Sequence, residues 1–340
     1  MSLAAALRDR DVAELPSRRD EDWRWTDLRA LIRVLPEPSP GFAGAMGDGV
    51  FSRLSPDQRV LANGGETVVD IAAGEEATVV LRFIAQGAGS HLSRAEVTVG
   101  VGGRLVLLES YESDGGSLSQ ASLTITLAAG ATVERIVLAR DDAEAVSVSQ
   151  ADVRLSPTAA FAQTVVTSGA RRQRIETRVA HPGGGAALRL DGIYLLAAKA
   201  HADQTCVVTH GGTDGVTDQL TKGVVRDQAR GVFQGRIVVE AGADRTDAKM
   251  GHHALILSDR AEVDAKPELE IYADDVACAH GNTVGALDED ALFYARQRGM
   301  PDAEARALLT QAFIGQVIDR IDHEGARDVV RAWAADRLRG

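Results

Sequence analysis

Cys278 and His280, near the C-terminal end of the chain, have side chains that bind soft metals. Residues two apart in an extended strand project from the same face, so a strand here would present the thiol beside the imidazole. Such a pair suits iron or zinc. Two ligands are too few for a closed site, so others would come from a partner chain, a substrate or elsewhere in the fold. The alternative is a small buried cysteine beside a hydrogen-bonded histidine.

Composition narrows the possible classes of protein. The chain has 340 residues, of which 45% are hydrophobic and 25% charged, as in a globular protein with a large core. Its net charge of -12 argues against a general nucleic-acid binder, because phosphate contacts need clustered Lys and Arg. Two cysteines cannot make a disulfide framework, and the sequence has neither a membrane-length apolar run nor a signal-peptide pattern. We therefore predict a cytoplasmic protein without membrane or nucleic-acid partners.

The middle of the chain has the pattern of many short strands. Between about residue 66 and Cys278, runs rich in Val, Ile, Leu and Thr alternate with turn residues, and no amphipathic segment of helix length interrupts them. So long a series favours a solenoid, in which each coil stacks on the next. We predict an all-β core that forms a right-handed parallel β-helix, with a β-sandwich as the alternative. The turn-like segments 72–74, 128–130 and 241–243 are too irregular to define a strict repeat.

Helical patterns flank this region on both sides. We predict an N-terminal helical segment and linker over residues 1–45, a β-helix core over 46–283 and a C-terminal helical domain over 284–340. Trp23 and Trp25 lie in the first segment and are expected to hold it against the core.

The C-terminal helical pattern has clear start and stop signals. Asp288 is a good N-cap, and Leu287 and Leu292 are placed as a hydrophobic staple. Gly299 is a natural stop, after which Pro301 opens a second helix with a broad apolar face.

Several motifs resemble the SufB/SufD family of the SUF iron–sulfur cluster assembly machinery, and the most specific block surrounds Cys278 and His280. The similar segments are residues 20–28, 230–239, 265–276, 278–281, 283–285 and 287–294. The chain lacks a cysteine at the coil where SufB-like chains carry their cluster cysteine. It is therefore more similar to the SufD branch.

The resemblance implies a non-catalytic scaffold subunit with a β-helix core. Such a subunit pairs with a SufB-like paralogue, or with itself in isolation, and binds a SufC-like ABC-type ATPase. The resemblance further implies that His280, and next Cys278, contribute to a transient iron–sulfur cluster or iron site at the paralogue interface. No group would be bound tightly by this chain alone. The sequence has no G-x-x-x-x-G-K-[ST] phosphate loop, so ATP hydrolysis would belong to the partner.

The resemblance also implies that the C-terminal helices form the docking surface for the ATPase. The residues expected there are Leu292, Phe293, Leu309 and Phe313.

Other interpretations stay open at this point. His252 could be a further metal ligand, or it could form a surface pair with His253. A polysaccharide-processing β-helix enzyme would use Asp274 and Asp275 as paired carboxylates, although adjacent strand residues face opposite sides. A purely structural solenoid would tolerate replacement of both Cys278 and His280.

Overall fold

A computed structural model of the protein describes residues 2–42, 49–62 and 64–339. The helices are α1 (Leu3–Asp9), α2 (Leu28–Leu31), α3 (Glu289–Gln297), α4 (Asp302–Ile318) and α5 (Glu324–Arg339). The strands are β1 (Gln58–Ala62), β2 (Glu66–Ile71), β3 (Glu76–Ala85), β4 (Ser90–Val99), β5 (Arg104–Ser113), β6 (Leu118–Leu127), β7 (Thr132–Arg140), β8 (Val146–Arg154), β9 (Ala160–Thr167), β10 (Arg172–His181), β11 (Ala187–Leu196), β12 (His201–His210), β13 (Val216–Val225), β14 (Arg230–Val239), β15 (Asp247–Ile256), β16 (Glu262–Ile271) and β17 (Ala277–Gly285).

The strands form two parallel sheets, and successive strands of the chain alternate between them. All odd-numbered strands lie in one sheet and all even-numbered strands in the other, each in chain order. Glu76 of β3 pairs with Arg104 of β5, and Arg104 pairs with Thr132 of β7. Each coil thus adds one strand to each sheet, and the predicted parallel β-helix flanked by helical segments is confirmed.

The core of the solenoid is a continuous apolar column between the two sheets. Leu107, Val133, Phe161 and Leu188 occupy successive odd strands and are 0–2% exposed. Alternation along each strand directs every second side chain inward, and β-branched and large apolar residues fill the space between the sheets. Each fully buried side chain of this size contributes roughly 1.5–3 kcal/mol.

The N-terminal segment packs on the outer face of the even sheet. The Arg174 guanidinium lies 4.5 Å from the centre of the Trp23 ring, and the Thr26 hydroxyl donates to an Asp203 carboxylate oxygen at 2.6 Å. Trp23 therefore holds this segment against the core, as expected. The segment is helical only in short pieces, since α1 ends where Arg10 adopts a left-handed conformation with φ 56°.

The C-terminal helices cover the outer face of the odd sheet. Ile314 and Val317 of α4 are buried against outward-facing residues such as Leu108 and Ile136. Since the odd sheet is buried on both faces, its strands have long apolar runs. The expected cap is present, because Asp288 accepts hydrogen bonds from the backbone nitrogens of Asp290 and Ala291.

The domain boundaries stay predictions. The boundary between residues 45 and 46 lies outside the described residues, and β17 runs to Gly285, just beyond the predicted end of the core. Among the described helices, none is long and apolar enough to cross a membrane. The cytoplasmic location also stays a prediction.

Candidate functional site

The candidate site lies on the last coil of the solenoid, residues 262–285, which we call the terminal coil. In β17, Cys278 pairs with Ala248 of β15, and His280 pairs with Met250. Ala248 and Met250 are 0% and 2% exposed and belong to the inner column. Cys278 and His280 therefore continue an inward-facing row, and the sequence-based expectation that they share one face of a strand agrees with the structure.

The terminal coil is open where the preceding coils are closed. Within the described part of the chain, β17 pairs with β15 alone and β16 pairs with β14 alone. Every residue of β17 is exposed except Cys278, which is partly buried against the inner column. An inward-facing position that is covered elsewhere is thus accessible at His280, because no further coil follows β17 in the described ranges.

The environment of Cys278 favours its thiol form in the isolated chain. Partial burial raises the pKa of the Cys278 thiol, opposed by a hydrogen bond from the Ala248 backbone and reinforced by the Asp247 charge. A thiolate is the form that binds metal, so coordination would require an electropositive partner or the metal ion itself to release the proton.

The candidate site offers at most two of the ligands that a metal centre would need. No group of three or more His, Cys, Asp and Glu side chains in the described ranges could hold a metal ion. Cys278 and His280 supply a soft thiolate and an imidazole, a donor set that suits iron. Completing a four-ligand shell would take groups from another chain or from the substrate.

His252 is buried rather than part of a surface pair. It is 0% exposed, and its ring stacks on Phe233 with centres 4.6 Å apart. Its Nε2 lies 2.8 Å from the Tyr194 hydroxyl, and its Nδ1 lies 2.7 Å from Oδ1 of Asn282. Burial lowers the pKa of His252 to about 4, so the ring is neutral at neutral pH. Any metal there would have to displace one of these hydrogen bonds, and the role as a ligand stays a prediction.

The four residues expected at the ATPase surface are not equally accessible. Leu292 is 0% exposed and packs with Leu309 between α3 and α4. Phe313 is partly buried beneath Lys222, whose Nζ lies 4.1 Å from the ring centre. Phe293 is 59% exposed.

Two further apolar residues are exposed on the helices that were expected to form the ATPase surface. Tyr294 and Leu308 are 61% and 49% exposed and lie on the same two helices as Phe293 and Leu309. Helical spacing places Leu308 beside the main apolar stripe of α4, but neither residue was predicted at the docking surface. The contact between His252 and Asn282 had no local signal, because it joins residues on strands one coil apart.

The carboxylates of the polysaccharide alternative lie away from any strand face. Asp274 and Asp275 are exposed on the loop between β16 and β17. The Asp275 backbone oxygen accepts a hydrogen bond from the backbone nitrogen of Arg245.

The chain is similar to known proteins over most of its length. The family described as "SUF system FeS cluster assembly, SufBD core domain" matches residues 83–313. The iron–sulfur cluster assembly protein SufD of Escherichia coli (strain K12) is 28% identical over 96% of this chain and 90% of its own length. An iron–sulfur cluster assembly SufBD family protein of Mycobacterium bovis is 28% identical over 92% of this chain and 87% of its own. SufD of Bacillus subtilis (strain 168) is 36% identical over 32% of this chain and 25% of its own.

Proposed function

The chain belongs to the SUF-system SufBD core family, and from this membership we propose that it is a non-catalytic scaffold subunit of iron–sulfur cluster assembly. In this proposal it pairs with a SufB-like paralogue, binds a SufC-like ABC-type ATPase and contributes Cys278 and His280 to a nascent cluster at the paralogue interface. The family match and the relatives support the assembly role itself. The partners and the site residues are the proposed part.

The observation that carries the proposal is the open terminal coil. The free edges of β16 and β17 present backbone donors and acceptors that no strand in the described ranges pairs with. Ile271, Tyr272 and Val284 expose 42–63% of their surface beside these edges. A strand edge with adjacent apolar side chains is a template for another chain, which would add strands and cover the column.

The position of the soft ligands points to the same interface. Cys278 and His280 lie on the inward row of the free edge, so a chain that closed this coil would face them directly. A paralogue with its own terminal coil would supply the missing ligands, and a second copy of this chain could occupy the edge in its absence. Iron or sulfide held there would be cargo of the assembly reaction.

A loading experiment tests the cluster site. The chain would be co-expressed with the SufB-like and SufC-like chains, purified without oxygen and incubated with Fe²⁺ and sulfide. Wild-type complex should retain iron and sulfide with visible charge-transfer absorption, and His280→Ala and Cys278→Ala should retain severalfold less. Matched controls are His253→Ala on the neighbouring strand and Cys206→Ala inside the solenoid. Loading of His280→Ala equal to wild type would remove His280 from the mechanism.

The proposed ATPase surface has a separate test. Phe293, Tyr294 and Leu308 form exposed apolar surface on α3 and α4, and we assign the SufC-like contact to them. Phe293→Glu should abolish co-purification of the ATPase while leaving the paralogue bound. Val101→Glu is the control, because Val101 is equally exposed at 62% but lies in a turn of the solenoid. Loss of the ATPase from both variants would contradict the assignment.

A further inference from the structure

A hydrogen-bonded chain of three side chains leads from inside the solenoid to the terminal coil. The Tyr194 hydroxyl lies 2.8 Å from Nε2 of His252, and Nδ1 of His252 lies 2.7 Å from Oδ1 of Asn282. Tyr194 and His252 are both 0% exposed, whereas Asn282 is exposed on β17. Two glycines leave the space that the Tyr194 ring of this hydrogen-bonded row occupies. A Cβ atom added to Gly223 or Gly231 would collide with the Tyr194 ring.

The chemistry of the three groups fixes the direction of the hydrogen bonds. An amide oxygen only accepts, so Nδ1 of His252 must carry the proton and donate to Asn282. Nε2 then has a lone pair and accepts from the Tyr194 hydroxyl, which burial keeps protonated by raising its pKa. The neutral imidazole that burial favours can make both bonds at once. The amide oxygen of Asn282 is thereby held against His252, and the amide nitrogen lies on the other side of the group, away from this bond.

Asn282 lies in line with the two proposed ligands. Cys278, His280 and Asn282 occupy alternate positions of β17 and pair with Ala248, Met250 and His252, so all three face the same side. Alternate residues of a strand are separated by about 6.6 Å, so Asn282 lies next to His280 and about 13 Å from Cys278, within reach of a small cluster bound at His280. The amide nitrogen of Asn282 makes no hydrogen bond with the described part of the chain. Its two donors are therefore available at the open end.

We propose that Asn282 is a third member of the site and donates a hydrogen bond to an anionic sulfur, either sulfide or thiolate, of the nascent cluster. This rests on the proposed function for the identity of the ligand. Anionic sulfur accepts hydrogen bonds, and such bonds stabilise the electron-rich states of a cluster. His252 and Tyr194 act through Asn282 and are positioning residues.

The alternative is that Asn282 merely satisfies the buried ring of His252, and Asn282→Asp distinguishes the two. A carboxylate of the same shape still accepts from Nδ1 of His252, so a structural role would be preserved. The same substitution removes both outward donors and brings a negative charge close to the anionic sulfur. Asn282→Ala loses both roles and is the matched comparison.

The test combines loading of the three-chain complex with a measurement on the chain alone. With Fe²⁺ and sulfide as probes, Asn282→Asp should retain at least fivefold less cluster than wild type, and any cluster retained should have a more negative reduction potential. Nitrogen NMR of the imidazole in the isolated wild-type chain should show the Nδ1–H tautomer of His252. Thermal unfolding of Asn282→Asp should match wild type, which separates chemistry from folding.

Two results would overturn the inference without touching the proposed function. The first is an Asn282→Asp complex that retains as much cluster as wild type, with the same reduction potential. The second is an Nε2–H tautomer of His252, because Nδ1 would then have to accept from the amide nitrogen of Asn282 and the nitrogen would not be available to sulfur. A wild-type complex that retains no cluster would instead overturn the proposed function and this inference with it. The His280→Ala variant tells the cases apart, since it loses cluster only when the proposed function holds.

Discussion

The closed coils of the solenoid, from β3 to β15, and the terminal coil have the same strand pattern but opposite surroundings. Met250 and His280 are paired inward positions one coil apart, yet Met250 is 2% exposed and His280 is exposed. The same holds for Val239, which is 0% exposed, and its neighbour Ile271, which is 42% exposed. The difference arises solely because no coil follows the last one within the described residues.

This difference shows where a solenoid can present reactive side chains to a ligand or a partner. In the closed coils an inward side chain is fixed by packing, and a charged one is paired, as Arg135 is by Glu109 and Gln163. At the terminal coil an inward side chain is positioned by the strand but left accessible. The proposed ligands Cys278 and His280 would therefore be accessible to the components of a cluster although the described part of the chain forms no cleft around them.

The largest expected effect comes from breaking a buried ion pair in a closed coil. Glu109 accepts from Nε and Nη2 of Arg135 at 2.7 and 2.6 Å, and both side chains are at most 1% exposed. Glu109→Ala would leave a buried guanidinium without its counter-charge, which we expect to cost about 3–5 kcal/mol of unfolding free energy in urea titrations. The matched change on the terminal coil is Glu268→Ala. Because Glu268 is partly exposed beside Arg236 and Lys266, it should cost less than about 1 kcal/mol.

A smaller effect on the unfolding free energy is expected when an isoleucine is truncated to alanine, once in a closed coil and once in the terminal coil. Ile237 is 0% exposed in β14, and Ile237→Ala should cost about 2–5 kcal/mol through lost burial and the cavity left behind. Ile271→Ala in β16 removes the same atoms from a half-open position and should cost less than about 1 kcal/mol. An equally large cost for Ile271→Ala that grows with protein concentration would mean that a second copy covers the terminal coil in solution.

Much of the fold could be predicted from local patterns. Alternating β-branched residues identified the strands, and the N-cap at Asp288 and the stop at Gly299 placed α3 correctly. The position of Cys278 and His280 on one strand face followed from their spacing alone. These features depend on residues close together in sequence, which is why sequence reasoning reached them.

The coil repeat could not be recognised in the sequence, because different residue types adopt the same left-handed backbone conformation at equivalent turns. Gly74, Gly102 and Gly130 take a left-handed conformation at equivalent turns of successive coils. Thr158 and Asp214 adopt the same conformation at later turns, with φ 63° and 62°. Glycine tolerates this region at no cost, but the stacked strands on both sides hold other residues there too. A search for recurring glycine is therefore interrupted at Thr158 and again at Asp214, although Gly185 occupies the turn between them.

Contacts between distant parts of the chain were also out of reach. The His252–Asn282 hydrogen bond and the burial of Leu292 against α4 depend on which coil or helix lies next to which. Periodicity identifies an apolar position but does not say whether the chain itself or a partner covers it. Leu292 was expected at a docking surface from the family resemblance, whereas its burial in one cluster with Leu287 agrees with the staple that the local pattern predicted.

A pH-dependent effect is expected where the helices cover the closed coils. Burial raises the pKa of Asp191 to about 7, against the attraction of Arg320 at 3.0 Å and Arg189 at 3.6 Å and with the Asp218 charge adding to the rise. The folded protein therefore holds this proton more tightly than the unfolded chain. Stability from this group is complete below its ordinary pKa of 3.8 and is lost as the pH rises through about 7.

The substitution Asp191→Asn isolates this contribution. The variant should gain stability relative to wild type as the pH rises from about 4 to 7, by at most about 1.4 kcal/mol per pH unit, and the difference should then level off. Urea titrations across this range measure it. Asp218→Asn is the control, because it removes an exposed carboxylate from the same Arg320. A difference that stays constant with pH would show that Asp191 is ionised throughout.

The smallest expected effect is on the stability of the isolated chain when the proposed ligand is removed. His280 is exposed and forms no hydrogen bond within the described ranges, so His280→Ala should change the unfolding free energy by less than about 0.5 kcal/mol. The matched control, His252→Ala, removes a stacked and doubly hydrogen-bonded ring and should cost more than about 2 kcal/mol. A large cost for His280→Ala would mean that the terminal coil is not open in solution. If the cost is negligible, a loss of cluster from the His280→Ala complex can be assigned to coordination, because the coil that carries the histidine is intact.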